Sequence, residues 1–157
     1  MYTAFAEGNL EPVANKVCSG LLGNLRGRIA QRAPNEHLDW AIVARRGSPK
    51  LVSYKAAVLP GSRDETSAER NGIVQAVVEL KTVQRLQKMQ KVQRRDKNHG
   101  LKTFVEPLPG HERADEKEST EYVVVQKIIR KSKESEWKIW GFTEPTTLAK
   151  LESTKKR

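Results

Sequence analysis

The chain has 157 residues, 37% of them apolar and 31% charged, with 29 Lys and Arg against 19 Asp and Glu for a formal net charge of +10. That length is ordinary for one domain and is enough to bury a core without cross-links, and the lone cysteine, Cys18, excludes an internal disulfide. No apolar run approaches the roughly 18 residues that a membrane-spanning helix needs, and a basic surplus of this size favours a phosphate-rich partner, nucleic acid or anionic lipid.

The elements follow in chain order. Tyr2 to Glu7 reads as the last turns of a helix stopped at Gly8-Asn9. The chain therefore reads as truncated at its N-terminus, with upstream sequence missing. Leu10 to Cys18 reads as a second short helix, with Pro12 in its first turn. Ser19 is placed to cap a third helix over about Gly20 to Gln31. Its apolar positions Leu21, Leu22, Leu25 and Ile29 recur at helical spacing, and Arg26, Arg28 and Arg32 lie largely off that stripe. Val17, Leu21 and Leu22 around Cys18 suggest a buried thiol.

Strands come next. Asp39 to Arg45 is a short one, and Gly47-Ser48-Pro49 a turn. Lys50 to Leu59 alternates clearly, with Val52, Tyr54, Ala56 and Val58 on one face. The polar stretch 61–71 reads as an exposed loop. Ile73 to about Leu86 is a long strand, with Val74, Ala76, Val78 and Leu80 on one face. The stretch 87–119 has few apolar residues and reads as an exposed, partly disordered excursion. Glu121 to Lys131 is a strong strand, Lys133-Glu134-Ser135 a hairpin turn, and Trp137 to Phe142 the partner strand. Helices gathered before about five strands predict an α+β fold, with the N-terminal helices packed on a curved, twisted antiparallel sheet.

Searches for catalytic chemistry end quickly. There is no Gly-rich phosphate loop. His37, His99 and His111 have no second ligand at metal spacing, and His111-Glu112 lacks the second histidine of a zinc protease helix. Glu79, Glu121 and Asp39 are the carboxylates that a pocket enzyme could use, and each reads more simply as a sheet-edge or solvent-face charge. No cofactor, metal or small-molecule substrate is expected.

The stretch from Lys81 to Lys102 is different. Lys81, Arg85, Lys88, Lys91, Arg94, Arg95, Lys97 and Lys102 stand against Asp96 alone and carry most of the net charge. Their spacing would align many of them on one side if the segment became helical. Gln84, Gln87, Gln90 and Gln93 are placed to hydrogen-bond phosphate or sugar. No aromatic is interleaved before Phe104, so backbone contacts without base stacking are expected. A second basic group, Lys127, Arg130, Lys131, Lys133 and Lys138, surrounds the last hairpin. Trp137 and Trp140 differ in parity, so one reads as core and the other as an exposed anchor for a membrane interface or partner.

The opening Tyr-Thr-Ala-Phe-Ala-Glu-Gly-Asn-Leu-Glu of residues 2–11 resembles the start of the Tim-forty-four-like domain. The hairpin from Tyr122-Val-Val-Val-Gln-Lys-Ile-Ile to Glu136-Trp-Lys-Ile-Trp-Gly-Phe142 resembles that domain's final strand pair. Within the family the likeness is greatest to the fungal mitochondrial inner-membrane ribosome receptors of the Mba-one type and their metazoan relative in the large mitoribosomal subunit. The resemblance implies a single domain over residues 1–157, with a cystatin- or NTF2-like cone and no catalytic residues. It implies a protein on the matrix face of the mitochondrial inner membrane. There it would dock the large mitoribosomal subunit near the tunnel exit through ribosomal RNA, next to anionic lipid and a membrane insertase, and aid membrane insertion. The import-motor anchor, which binds anionic lipid and import machinery, shares the domain and is the alternative. A pocket enzyme of the same fold is a third.

Overall fold

A computed structural model describes residues 1–59, 71–96, 100–131 and 133–145. The fold is α+β, with short N-terminal helices followed by a curved antiparallel sheet, as the sequence predicts. The helices are α1 (Tyr2–Glu7) and α2 (Ser19–Ala30), joined through a 3-10 segment at Glu11–Lys16. The strands are β1 (Glu36–Arg45), β2 (Lys50–Val58), β3 (Gly72–Asp96), β4 (Gly100–Pro107), β5 (Asp115–Arg130), β6 (Lys133–Glu134) and β7 (Lys138–Thr143). They form a seven-stranded sheet in which β1, β2, β4 and β5 pair with β3, and β6 and β7 pair with β5. Among the described residues, no helix is long and apolar enough to cross a membrane.

Several boundaries differ from those predicted. β3 continues to Asp96 instead of ending near Leu86. The stretch 87–119, predicted to be a partly disordered excursion, holds the end of β3, all of β4 and the start of β5. Hydrogen bonds to neighbouring strands hold these polar residues extended, and no apolar pattern is needed for that. Cys18, not Ser19, is the N-cap of α2, and its thiol is half-buried. The turn predicted at 133–135 sits earlier, where Lys131 takes a positive φ of 47°, and Lys133 and Glu134 are strand. The loop predicted at 61–71 lies, up to Arg70, outside the described residues.

The chain divides into two compact units, one of Met1–Ser48 with Lys81–Ser119, the other of Pro49–Leu80 with Thr120–Arg157. In the first, α1 ends as its sequence requires. Gly8 adopts φ 76°, its amide donates to the Phe5 carbonyl at 3.1 Å, and the Asn9 amide donates to the Ala4 carbonyl at 3.0 Å. This pair of bonds satisfies two terminal carbonyls and reverses the chain at a φ that glycine adopts without strain. The reversal brings buried Ala4 and Leu10 onto Leu25 of α2, with Phe5, Val13, Leu21, Leu22 and Ile29 packed around them. Arg32 folds back over this cluster. Its guanidinium lies 4.3 Å from the Phe5 ring centroid and donates to the Ala6 carbonyl at 3.0 Å. Burial pulls its pKa below the usual arginine value, and Arg28 adds to this while Glu36 opposes it.

The helices rest on the sheet through α1 and β1. Tyr2 meets Trp40 at 5.0 Å between ring centroids. The Trp40 indole donates to the Gln84 Oε1 at 3.2 Å, and Gln84 Nε2 donates to the buried Thr82 hydroxyl at 3.0 Å. This chain of bonds gives the half-buried Trp40 and Gln84 side chains and the buried Thr82 hydroxyl their hydrogen-bond partners.

In the second unit Val74, Ala76, Val123 and Val124 are buried. Buried Gln126 receives the Gln75 side-chain amide at 2.9 Å. Bulges fall at Leu51/Ser53 on β2 and at Val124/Val125 where β5 meets β7.

Because the helical cluster is small, each large side chain in it carries much of its stability. Leu25→Ala should destabilise the protein by about 2–5 kcal/mol, the range for emptying a buried leucine site. The check is a urea unfolding midpoint, which should fall with little change in slope.

Candidate nucleic-acid interface

The predicted basic stretch lies on a strand and a hairpin, not on a helix. Lys81, Arg85, Lys88, Lys91, Arg94 and Arg95 are on β3, and Lys102 is on β4. Lys97 lies outside the described residues. The one-sided alignment that their spacing would give in a helix is not formed, because the stretch is strand and strand side chains alternate between faces. The bulge between β1 and β3 at Ile42/Ala44 adds its extra residue to β1, so the alternation of β3 is not interrupted there. Residues directly opposite across a ladder share a face. Lys88 stands opposite Leu38, two residues from the pair of Leu86 with Trp40, whose ring meets Tyr2 of α1. Arg85 and Gln87 stand opposite Ala41 and Asp39 on the other face.

The extended end of β3 pairs with β4 without a break, from Met89 opposite Pro107 to Asp96 opposite Gly100. Lys91, Arg94, Arg95 and Lys102 project from this two-stranded ribbon, and all four are exposed. Two basic side chains of the stretch are already matched by acids. Arg85 pairs with Asp39 at 3.5 Å and Arg94 with Glu106 at 2.9 Å. Both pairs are solvent-exposed and so hold their partners weakly, by about 0–1 kcal/mol. Among the described residues, no carboxylate pairs with Lys88, Lys91 or Arg95.

The glutamines are less available than their sequence suggests. Gln84 is committed to Trp40 and Thr82. The Gln87 side-chain amide donates to the carbonyls of His111 and Glu112 at 3.3 and 3.2 Å. Gln93 remains exposed on the ribbon. Phe104, the first aromatic after the run of cations, is 44% exposed and sits next but one to Lys102, opposite Val92. The signal that could have found β4 is Gly100 followed by Leu-Lys-Thr-Phe-Val, a run of strand formers after a turn residue.

The second basic group surrounds the β5–β7 hairpin. Lys127 pairs with Glu134 and lies 5.3 Å from the Trp137 ring centroid. Arg130, Lys131 and Lys133 are exposed, and Lys138 is half-buried. The expectation that one tryptophan is core does not hold, since Trp137 is 42% and Trp140 51% exposed. Parity assumes a second layer over one face of the strand, and no described residue buries either ring.

Two of the carboxylates that a pocket enzyme could use, Glu79 and Asp39, are held by structural partners. Glu79 accepts the Tyr122 hydroxyl at 3.0 Å, and Asp39 is the partner of Arg85. One cavity of about 220 Å³ is lined by Ala56, Val58, Ile73 and Ile129, and another of about 270 Å³ by Lys55, Gln75, Trp140 and Phe142. Neither is lined by Glu79, Glu121, Asp39 or a histidine. Among the described residues, no cluster of three potential metal ligands occurs.

If the ribbon is the polyanion-binding element, Glu106 restrains it. Glu106→Gln releases Arg94 and adds one positive charge. The variant should elute from immobilised heparin at higher salt than the parent chain; elution at the same or lower salt would place the binding surface elsewhere.

Among curated proteins, none matches the chain. A family model described as MBA1-like protein matches residues 1–105, which include the helices, β1 to β3 and most of β4 but leave out the β5–β7 hairpin. Membership in that family, which is one of non-enzymatic ribosome receptors, is consistent with a mitochondrial, ribosome-associated role. With more than half of its 157 residues matched, the chain belongs to the MBA1-like family.

Proposed function

We propose that the chain is a non-catalytic docking module that holds the large mitoribosomal subunit at the matrix face of the inner membrane. It contacts ribosomal RNA near the tunnel exit and so aids insertion of newly made membrane proteins. The observation that carries this reading is the β3–β4 ribbon, which projects exposed Lys91, Arg94, Arg95 and Lys102 from an unbroken two-stranded ladder. Phosphate contacts from such side chains supply affinity without sequence readout, which suits a receptor for one large particle. The MBA1-like family supplies the ribosomal context. The kinship with the Tim-forty-four-like domain, suggested by residues 2–11 and 122–142, belongs to the same reading.

The second basic group supports a contact with anionic inner-membrane lipid. Exposed Trp137 and Trp140 next to Arg130, Lys131 and Lys133 combine aromatic rings suited to the headgroup layer with charges attracted to anionic lipid. A membrane insertase would lie within reach of a ribosome held in this way. The alternative is a lipid- and import-machinery-binding domain of the import-motor-anchor type.

The deciding experiment is co-sedimentation with large mitoribosomal subunits at graded salt. Replacing Lys88, Lys91, Arg94 and Arg95 with Gln should lower the log–log salt slope by about 0.7–0.9 for each phosphate no longer neutralised. An unchanged slope, with binding to cardiolipin vesicles reduced instead, would favour the import-motor alternative. For the hairpin, tryptophan emission should shift to the blue on cardiolipin-containing vesicles and not on neutral phosphatidylcholine. The Arg130→Gln/Lys131→Gln/Lys133→Gln variant should lose that shift.

A further inference from the structure

The ribbon presents cations on both of its faces. The eight consecutive pairs from Met89–Pro107 to Asp96–Gly100 show no register shift, so the face of each side chain follows from its position. One face carries Lys91, Gln93 and Arg95 with Val105, Thr103 and Leu101 opposite them. The other carries Val92 and Arg94 with Phe104 and Lys102 opposite them. Each face thus holds two cations beside exposed apolar side chains, and on the second face Glu106, opposite Gln90, pairs with Arg94. Leu101 is 70% exposed and Val105 48%, while Phe104 on the opposite face is 44% exposed.

A ribbon built to lie flat on RNA needs cations on one face only, with the other packed on protein or left neutral. Here neither face is covered by described residues. Arg94 also stands directly opposite Lys102.

We propose, building on the RNA-docking reading above, that the β3–β4 ribbon enters RNA edge-on and touches phosphates from both faces at once. The groove must be open. A two-stranded ribbon fits a major groove of about 12 Å in B-form DNA, but the deep major groove of a regular A-form duplex is too narrow for it. The partner is therefore an RNA groove widened by an internal loop. Unpaired bases there give Phe104 and Leu101 apolar surfaces to meet.

The test uses the full chain and two RNA stems of equal length, one fully paired and one with a central internal loop. Two double variants separate the faces, Lys91→Gln/Arg95→Gln and Arg94→Gln/Lys102→Gln. Each should lower the salt slope on the looped stem by about 1.4–1.8, the value for two phosphates, and the parent chain should bind the looped stem more tightly than the paired one. All four positions are exposed, so circular dichroism and urea midpoints should match those of the parent. If only one double variant changes the slope, the ribbon lies flat and the edge-on geometry is wrong while RNA docking stands. If neither does, the RNA-docking reading falls with it. Equal affinity for the two stems would overturn the open groove.

Discussion

The two-residue period of β3 is the constraint on which the rest of this structure depends. The strand runs for 25 residues and pairs with four others, so its alternation fixes what each neighbour faces. In the stretch 72–80 it buries Val74 and Ala76 on one face and turns Gln75 toward Gln126 on the other. In the stretch 82–86 it sends Thr82 and Gln84 into the polar relay with Trp40. Beyond Met89 no described residue of β3 is buried, and the same alternation distributes cations over two exposed faces. One strand thus changes from a structural element to a display element along its length.

What supports that display is modest. The helical cluster is built around Ala4, Leu10 and Leu25, with Arg32 laid across Phe5. It rests on β1, and β1 is bonded to β3 at the residues just before the ribbon. The base of the ribbon is further tied down by Gln87, which holds the carbonyls of His111 and Glu112, and by the Leu108 amide on the Lys88 carbonyl. A basic element whose backbone is anchored in this way loses little backbone freedom when it meets a polyanion, which favours affinity through preorganisation. The acids Asp39 and Glu106 set part of the charge aside in weak, exposed pairs that a phosphate can displace.

The sequence by itself determined the class of fold, the end of the first helix and the location of the excess charge. These features are local. Gly8-Asn9 stops a helix because glycine adopts a positive φ, Leu21, Leu22, Leu25 and Ile29 mark a helix face, and charge can be counted. The course of residues 87–107 was not legible in the same way. Their strand conformation comes from ladder bonds between β3 and β4, which join backbones and leave little trace in the side chains. Spacings of three and four among the cations suggested one helical side, and only the pairing of β3 with β4 divided them between two faces. Tertiary structure also decided the fate of individual residues. Gln84 and Gln87 were drawn into internal bonds, and both Trp137 and Trp140 were left exposed, because partners and coverage are set by residues distant in the chain.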